Sequence, residues 1–456
     1  MSTTLPSARR YPAAFRIDPS GGPVGGKIRL PGSKSITNRA LLIAALARGE
    51  SSIENALICD DSVYLADALL KLGLVVSRDE RGAHFRVHGG GGVFPIKDAE
   101  VFLGNAGTST RFLTAALCIA RPGEPVGRYV VDGDARMRER PIGDLVKALG
   151  RLGASIEAPT GCPPVRIGFP VARQTVATGL EGGSVVLPGR TSSQFISAIL
   201  LAAPLARRDV EVIIEGECVS TPYIEVTIEV MRDFGAYCRV DEGRADGRTA
   251  FIVSSGHPYR ARDYWVEGDA STASYFMSAA AITEGTARLE GIGKESIQGD
   301  ARFADILARM GARVKKGIDA ITVTGAPLKG IDADCRDIPD IVPTLAATAL
   351  FARGRTRITG AAHLRFKESD RIASVAAELR KLGGKVRELP DGLEIEDSHL
   401  HGCEVATWGD HRIAMAASLV GLRVPGVVIR DPGVVAKSFP EYFETLRDAG
   451  ARVEPV

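Results

Sequence analysis

Six segments of the sequence have the composition of helix starts that could bind an anion. Each opens with small polar residues, most of them after a Gly or Pro, and continues into an apolar run at helical spacing. Backbone N–H groups in the first turn of a helix have no partner within the helix, so they can bind phosphate or carboxylate. The six segments are PGSKSITNRA (31–40), GNAGTSTRFL (104–113), GRTSSQFISA (189–198), GDASTASYFM (268–277), IPDIVPTLAA (338–347) and WGDHRIAMAA (408–417).

Basic residues lie within these starts or within a second set of helix starts, and N-capping alone does not require them. If the segments occupy equivalent positions in a symmetric fold, these side chains face one common cleft. Lys and Arg beside helix N-termini form a receptor for phosphates and carboxylates, with Arg binding as a planar fork. The eight residues are Lys34, Arg39, Arg111, Arg140, Lys367, Arg371, Arg412 and Lys437.

Acidic residues accompany these cations in the C-terminal half of the chain. Asp340 and Glu368 fall in cation-rich helix starts, where a carboxyl group could exchange protons with a substrate held by Lys and Arg. Asp370 and Asp410 also lie at helix starts, but a simple N-cap explains them equally well. The sequence therefore predicts acid–base chemistry at Asp340 and Glu368 and leaves the other two open.

The elements that must position these residues form an internal repeat. A helix with apolar residues at helical spacing ends in a Gly and is followed by a β-branched strand, six times along the chain. A Gly in this place is typical of a helix C-cap in the left-handed conformation. A second helix precedes each copy, so each unit runs helix, strand, helix and then further strands. The closing glycines are Gly73, Gly153, Gly235, Gly311, Gly383 and Gly450.

Six such units imply an α/β protein of two domains with three units each, and a chain of 456 residues is too long for one core. The polar segment SGHPYRARD (255–263) is interpreted as a linker. We expect one domain over residues 30–261 and a discontinuous one over residues 1–29 plus 262–456. An open solenoid also repeats, but its units are shorter, roughly 20–47 residues, which favours closed packing.

Composition excludes several classes of protein. Lys and Arg number 57 against 55 Asp and Glu, so bulk charge gives no case for nucleic acid as a partner. The seven cysteines are scattered along the chain and lack the close spacing of disulfide frameworks or zinc sites. This distribution favours reduced thiols. No apolar run is long enough to span a membrane, and we expect no secretory signal because the first 20 residues lack an apolar stretch. We expect a cytoplasmic protein in which the tract around Arg9 and Arg10 is an unstructured tail.

The motifs together resemble the 5-enolpyruvylshikimate-3-phosphate synthase family. The resemblance runs in order from about residue 29 to 446 and is carried by LPGSKSITNRAL, LGNAGTSTRFL, RMRERPIGDLV, SSQFISA, TPYIEV, VEGDASTASYF, GKESIQGD, IPDIVPTLAA, FKESDRI, GDHRIAMA and KSFPEYFETL. It implies a two-domain inside-out α/β barrel of six βαβαββ units, with a cleft between the domains. It also implies transfer of the enolpyruvyl group of phosphoenolpyruvate to the 5-hydroxyl of shikimate 3-phosphate, in a monomer, with no metal or organic cofactor.

The same resemblance implies a role for each matching residue. Asp340 is expected to take the proton of the 5-hydroxyl, Glu368 to protonate the methylene carbon, and Lys34 to assist. Residues expected to bind phosphoenolpyruvate are Lys34, Gly107, Arg140, Gln194, Arg371, Arg412 and Lys437. Residues expected to bind shikimate 3-phosphate are Lys34, Ser35, Arg39, Ser192, Ser193, Gln194, Ser220, Tyr223, Asp340 and Lys367.

This chain departs from the family pattern at two places. The usual NAGTAMRP reads NAGTSTRF, so that a bulky Phe112 follows the helix start that contains Gly107. The retained Gly107 is typical of members sensitive to the inhibitor glyphosate, whereas Phe112 is expected to influence how Gly107 is placed. His363 stands where the family often has Asn near the shikimate phosphate, and its role is open.

Three other functions fit the sequence less well. A P-loop needs contiguous Gly-Lys-Ser, but Ser33 separates Gly32 from Lys34. The sister enolpyruvyl transferase that acts on a UDP-linked amino sugar depends on a cysteine in a loop that corresponds to residues 132–144, which contain none. A non-catalytic anion-binding protein would explain the cations but not Asp340 together with Glu368. The transferase of the shikimate pathway is therefore the favoured function.

Overall fold

The computed structural model describes residues 11–120, 126–169, 179–190 and 192–456. The expected N-terminal tail at Arg9 and Arg10 lies outside the described residues, as does Thr191 of the third helix start. Within the described part of the chain, no helix is long and apolar enough to cross a lipid bilayer.

The chain divides into two compact units, and one of them is discontinuous. Unit 1 comprises residues 1–32 and 267–456, and unit 2 comprises residues 33–266. The described residues form strands β1 to β24: Ala14–Asp18, Gly26–Arg29, Arg48–Glu54, Val75–Asp79, His84–Gly90, Asp98–Phe102, Arg128–Asp132, Ile156–Glu157, Val165–Ile167, Gly183–Pro188, Val210–Glu215, Cys238–Asp241, Ala250–Val253, Tyr264–Trp265, Thr286–Glu290, Arg313–Lys316, Ala320–Thr324, Asp332–Asp334, Thr356–Thr359, Lys385–Leu389, Gly392–Glu396, Glu404–Val405, Val427–Arg430 and Arg452–Pro455.

Twelve α-helices, α1 to α12, lie among these strands in the described ranges. They are Lys34–Leu46, Asp60–Lys71, Gly107–Ala116, Gly143–Arg151, Ser193–Ala202, Thr221–Asp233, Ala270–Ile282, Phe303–Met310, Val342–Ala349, Arg371–Lys381, His411–Gly421 and Tyr442–Asp448.

Six four-stranded sheets, three in each unit, share one topology over the described residues. In the sheet β6-β7-β9-β8, the first two strands are parallel and the other two pair antiparallel. The sheets β10-β11-β13-β12 and β18-β19-β21-β20 repeat this order. In the sheet β22-β23-β1-β24, the N-terminal strand β1 lies between two C-terminal strands. Each repeat is therefore a βαβαββ unit, and the two ends of the chain complete one unit together.

The remaining two sheets explain where the units begin and end. Strand β2 pairs with β15 of unit 1, and strand β14 pairs with β3 of unit 2. Residues 262–266 therefore belong to unit 2, although the sequence analysis placed them in the other domain. The reason is that Tyr264 and Trp265 extend the β3 sheet, and Val266 donates its backbone N–H to Glu54.

The two helices of each repeat differ in burial. In unit 1 every residue of α9 and α11 is buried, and Ser271 is the exception in α7. In unit 2 the exception in α5 is Gln194, and the exception in α3 is Thr108. The second helix of each repeat is amphipathic and buries one face. The burial of the first helices agrees with the inside-out α/β arrangement that the family resemblance implied.

The helix-closing glycines have the predicted backbone conformation. All six lie at positive φ, between Gly383 at 88° and Gly311 at 119°. A residue with a Cβ is strained there, which explains why Gly recurs at the end of the second helix in each repeat. Four of the first helices begin at a polar N-cap as predicted, whereas α3 and α9 begin after Ala106 and Ile341 without a side-chain cap. The four caps are Ser33, Ser192, Asp269 and Asp410.

Candidate active site

One buried guanidinium joins three carboxylates in unit 1. Arg371 is the first residue of α10, and its side chain is 2% exposed. Its Nε donates to Asp410 Oδ2 at 2.7 Å, Nη1 to Asp340 Oδ1 at 3.0 Å and Nη2 to Glu368 Oε2 at 2.6 Å. Burial would lower the pKa of Arg371, but Asp410, Glu368 and Asp340 outweigh it and raise the pKa. The Arg371 side chain is therefore a permanent cation.

Asp340 lies between two arginines. It belongs to the short 3-10 helix Pro339–Ile341 before α9, and its Oδ2 accepts from Arg412 Nη2 at 2.8 Å. Burial would raise the pKa of Asp340, but the charges of Arg412, Lys367 and Arg371 lower it below its usual range. Asp340 is therefore ionised and can act as a base once an anionic substrate draws these cations away.

Lys437 completes the unit 1 cluster, which we define as Asp340, Lys367, Glu368, Arg371, Asp410, Arg412 and Lys437. Its Nζ lies 3.9 Å from Glu368 Oε1, so the Glu368 carboxylate is shared between Arg371 and Lys437. Lys437 ends the 3-10 helix Pro432–Lys437 and is 8% exposed. The cluster thus brings together every residue of unit 1 that the sequence predicted for the site.

Asp410 is an N-cap, one of the two readings that the sequence left open, and it also belongs to the unit 1 cluster. Its side chain caps α11 by accepting from the backbone N–H of Arg412 at 3.0 Å, and it also binds Arg371. Asp370 caps α10 by accepting from Ala373 N at 3.0 Å and pairs with Arg365. Asp410 is therefore part of the cluster, whereas Asp370 supports the helix start.

Two further titratable groups lie beside Asp340. Asp300 is 3% exposed and accepts a hydrogen bond from the Ser271 hydroxyl; burial, followed by the charge of Asp340, raises the pKa of Asp300 to about 7. His363 lies in the 3-10 helix Ala362–Phe366, where burial and then the charge of Lys367 lower its pKa to about 4. His363 is consequently neutral at pH 7, like the Asn that is common there in the family.

In unit 2, Lys34 and Arg140 lie beside helix starts. Lys34 opens α1 after the N-cap Ser33, and its Nζ lies 3.3 Å from Asp61 Oδ2. Arg140 is 4% exposed and donates from Nη1 to Asn105 Oδ1 at 2.8 Å. Gly107 opens α3, and a Cβ built there would lie 2.5 Å from Nη2 of Arg140. The guanidinium therefore lies directly against the α3 start, where it can share an anion with the free N–H groups.

Polar residues at the start of α5 lie next to the start of α3. Gln194 donates from Nε2 to the Thr108 hydroxyl at 3.3 Å, so the starts of α3 and α5 are adjacent. Ser192 caps α5 through Gln194 N at 3.2 Å, and Ser193 is buried. Ser220 precedes α6 in the left-handed conformation, with φ at 58°.

Arg39 is buried without a carboxylate partner among the described residues. Its guanidinium donates to Thr227 Oγ1 at 2.7 Å, to the Ser35 carbonyl at 2.8 Å and to the Tyr223 carbonyl at 2.9 Å. It also lies 5.0 Å from the ring centroid of Phe112. Desolvation lowers the pKa of Arg39 to about 10, so it stays a cation whose charge no neighbouring carboxylate offsets. Such a group favours binding of a ligand carboxylate or phosphate.

Phe112 and Arg111 therefore have roles that the sequence did not show. Phe112 is fully buried and provides the aromatic surface under Arg39. Arg111 was predicted among the anion-binding cations, but its guanidinium donates to the carbonyls of Gly107 and Pro141. It fixes the α3 start against the segment that contains Arg140.

Asp61 and Asn105 were missed by the sequence analysis. Each holds a predicted cation, Lys34 or Arg140, from another part of unit 2. Asp61 follows Asp60 at the start of α2, and this acidic pair was the available signal. In the parts of the chain that the structure describes, no three His, Cys, Asp or Glu side chains cluster as metal ligands would.

Comparisons with known proteins agree with this fold. The chain is similar to the EPSP synthase of Acinetobacter baumannii, with 30% identity, a TM-score of 0.78, and coverage of 97% of this chain and 99% of that one. The enolpyruvyl transferase NikO from Streptomyces tendae shares the fold at 20% identity, with a TM-score of 0.73 and coverage of 97% and 98%. The fold is thus that of the enolpyruvyl transferases.

The sequence comparisons identify the family. The family described as EPSP synthase (3-phosphoshikimate 1-carboxyvinyltransferase) matches residues 19–446. A 3-phosphoshikimate 1-carboxyvinyltransferase of Vibrio atlanticus is 46% identical over 429 residues, 93% of this chain and 96% of its own. A chloroplastic enzyme of Brassica napus is 44% identical over 440 residues, covering 93% of this chain and 83% of its own. The chain belongs to the EPSP synthase family, which confirms the predicted family, fold class and enzyme class.

The buried Asp300 generates a prediction about pH. The folded protein keeps a proton on Asp300 up to about pH 7, whereas the unfolded chain releases it near the ordinary value of 3.8. The contribution of this proton to the free energy of unfolding is fully present below about pH 4. It is lost as the pH rises to about 7. Asp300→Asn needs no proton, so its free energy of unfolding should rise relative to the parent across this interval. Urea denaturation at pH 5 and pH 8 measures the difference, and a constant offset would contradict it.

Proposed function

We propose that the chain performs the reaction of its family through the two groups of residues described above. The reaction transfers the enolpyruvyl group of phosphoenolpyruvate to the 5-hydroxyl of shikimate 3-phosphate and releases phosphate. The observation that carries the proposal is the arrangement of Asp340 and Glu368 around one buried cation, Arg371. Two carboxyl groups held at fixed positions among cations suit proton transfer on a polyanionic substrate.

Residues of unit 1 supply the proton transfers. Glu368 gives a proton to the methylene carbon of phosphoenolpyruvate, and positive charge develops at the neighbouring carbon. The 5-hydroxyl attacks that carbon while Asp340 takes its proton, which gives a tetrahedral ketal. Glu368 then removes a proton from the methyl group as the carbon–phosphate oxygen bond breaks, and the proton held by Asp340 passes to the departing phosphate. The double bond is restored, phosphate leaves and both carboxyl groups return to their starting states. Arg371, Arg412 and Lys437 hold the phosphate and carboxylate of phosphoenolpyruvate, and Lys367 contributes to binding shikimate 3-phosphate.

Residues of unit 2 bind the remaining anionic groups. Lys34, Arg140, Gly107 and Gln194 contribute to phosphoenolpyruvate binding, because Arg140 lies against the free N–H groups of the α3 start. Arg39 offers its uncompensated charge to an anionic group of shikimate 3-phosphate. The residues that join it in this role are Ser35, Ser192, Ser193, Ser220 and Tyr223, together with Lys34 and Gln194.

The remaining expectations form part of the same proposal. The chain acts as a cytoplasmic monomer, and glyphosate binds where phosphoenolpyruvate does. The arrangement at Gly107 supports a glyphosate-sensitive enzyme. Phe112 is buried under Arg39, and the Arg140 guanidinium lies directly against Gly107. The residue pattern does not favour the UDP-amino-sugar reaction, since residues 132–144 contain no cysteine.

Phosphate release tests the substrates directly. The purified protein should release phosphate from phosphoenolpyruvate when shikimate 3-phosphate is present, and not when it is absent. A UDP-linked N-acetylglucosamine should not replace shikimate 3-phosphate. Release that ignores shikimate 3-phosphate and responds to the UDP-sugar would overturn the proposal.

Removing either carboxyl group should lower turnover. Asp340→Ala and Glu368→Gln should each reduce kcat by about 10²–10⁴-fold, since one positioned acid or base contributes that much. Asp305→Asn is the matched control, because Asp305 lies in the same unit and pairs on the surface with Lys316. Steady-state kinetics should find the control unchanged. Near-normal turnover in Asp340→Ala or Glu368→Gln would refute the role assigned to that residue.

A methyl group at Gly107 should weaken phosphoenolpyruvate binding. A Cβ there would lie 2.5 Å from Arg140 Nη2, so the guanidinium must move away from the helix start. We expect Gly107→Ala to raise the KM for phosphoenolpyruvate and the inhibition constant of glyphosate about tenfold or more, since one charge-assisted hydrogen bond accounts for such a factor. Gly143→Ala, at the first residue of α4, is the control because its Cβ would have only ordinary contacts, 3.5 Å from Gly161 Cα. Equal effects of the two substitutions would contradict the prediction.

A further inference from the structure

A strained turn leads directly into the unit 1 cluster. The backbone N–H of Asp410 donates to the Thr407 carbonyl at 2.8 Å, which closes a four-residue turn that we call the 407–410 turn. Its central residues, Trp408 and Gly409, lie at φ values of 56° and 65°. Positive φ at both central positions defines a type I′ turn, which favours Gly, Asn or Asp. A bulky aromatic residue adopts this conformation only when its surroundings hold it there.

Glu378 provides the contacts that hold this turn. It lies on α10 and is 2% exposed. Its Oε1 accepts from the indole Nε1 of Trp408 at 2.8 Å, and its Oε2 accepts from the backbone N–H of Ala406 at 3.0 Å. Lys381, one helical turn further along α10, forms an ion pair with the same carboxylate. One buried carboxylate thus binds the chain both before the turn and within it.

The 407–410 turn connects Glu378 to Arg371 and Arg412 of the unit 1 cluster. Asp410 ends the turn, caps α11 through the Arg412 backbone N–H at 3.0 Å and accepts from Arg371 Nε at 2.7 Å. Arg412 then reaches Asp340 at 2.8 Å. Helix α10 therefore contacts residues 406–410 at two places. Arg371, its first residue, binds Asp410, and Glu378, two turns later, binds Ala406 and Trp408.

We propose that Glu378 is a positioning residue for the reaction. It acts through the 407–410 turn to fix Asp410 and Arg412 against Arg371 and Asp340, and thereby sets the geometry in which the anion of phosphoenolpyruvate is bound. The link to phosphoenolpyruvate rests on the proposed function, whereas the link from Glu378 to Arg412 rests on the contacts within unit 1. Glu378 itself contacts no substrate in this scheme.

Three substitutions separate positioning from general stability. Glu378→Gln keeps the shape of the side chain but offers only one acceptor oxygen for the two N–H groups. Trp408→Phe removes the indole donor and keeps the strained backbone. Trp408→Gly removes the donor and also relieves the strain, since Gly adopts positive φ without penalty. A purely structural role for this contact therefore predicts that Trp408→Gly behaves like the parent protein.

Kinetics are the first measurement. All three variants should raise the KM for phosphoenolpyruvate by roughly tenfold to a hundredfold, the size expected when a binding group is misplaced by about 1 Å, with a smaller change in the KM for shikimate 3-phosphate. Trp408→Gly should unfold at no lower urea concentration than Trp408→Phe. Glu404→Gln is the control, because Glu404 precedes the same turn but pairs at the surface with Arg430 at 2.6 Å. An unchanged KM for phosphoenolpyruvate in Trp408→Gly and Glu378→Gln, or equal rises for both substrates, would overturn the proposal.

A second measurement does not depend on the reaction. The chain has two tryptophans, so in a Trp265→Phe background the emission comes from Trp408 alone. Inorganic phosphate is the probe, and its dissociation constant is read from the Trp408 emission. Adding Glu378→Gln to this background should weaken phosphate binding about tenfold or more, as for the loss of a well-placed charge-assisted contact. If the parent lacks transferase activity but this dependence holds, the proposed function fails and the positioning role stands. An equal dissociation constant in both proteins contradicts the positioning role.

Discussion

The buried guanidinium of Arg371 is the group on which the unit 1 cluster depends. Three carboxylates from separate segments bind its three nitrogen atoms: Asp340 before α9, Glu368 before α10 and Asp410 before α11. Leaving a buried charge without its partner typically costs about 3–5 kcal/mol, so the three segments are held in fixed positions relative to one another. The planar fork of the guanidinium also fixes the direction of each carboxylate, which a lysine ammonium would not do.

Two of the buried helices of unit 1 have capped first turns, and two of them are joined by paired hydroxyl groups. Asp269 and Asp410 cap α7 and α11. Along their lengths, α7 and α9 are joined by hydroxyl pairs, Ser274 with Thr344 at 3.1 Å and Ser278 with Thr348 at 2.7 Å. Small hydroxyl and alanine side chains allow α7 and α9 to pack closely while these four hydroxyl groups stay paired. The helix starts are then placed by the packing of the whole helix, and not by flexible loops.

Much of this arrangement could be predicted from the sequence, because much of it is local. A Gly that ends an amphipathic helix and a polar residue that begins one are determined by nearby backbone geometry. The Gly recurs six times, and a polar N-cap begins four of the buried first helices. The strand β14 could not be located in this way, since a two-residue strand has no local pattern and its sheet is decided by pairing with β3. The domain boundary was placed a few residues early for the same reason.

The partners of the charged residues were the least predictable part of the candidate site. Arg111 and Arg140 have the same side-chain type and lie near the same helix start, yet their partners differ. Arg111 binds the carbonyls of Gly107 and Pro141, whereas Arg140 binds Asn105 and lies against the Cα of Gly107. Asp410 and Asp370 are both N-caps, and only Asp410 also reaches Arg371. These differences depend on which side chains meet after residues far apart in the sequence have packed. Whether each residue has its assigned role in binding stays a prediction.

Arg371 and Arg412 of unit 1 differ in electrostatic state from Arg39 of unit 2, and this difference bears on the proposed chemistry. In unit 1, carboxylates already occupy Arg371 and Arg412, so an anionic substrate must compete with Asp340 and Glu368 for them. In unit 2, Arg39 has no carboxylate partner among the described residues, so an anion there gains attraction without displacing one. Competition for Arg371 and Arg412 weakens the ion pairs of the same two carboxyl groups that are proposed to move protons. Substrate binding in unit 1 would therefore also free the acid and the base, because one cation holds both.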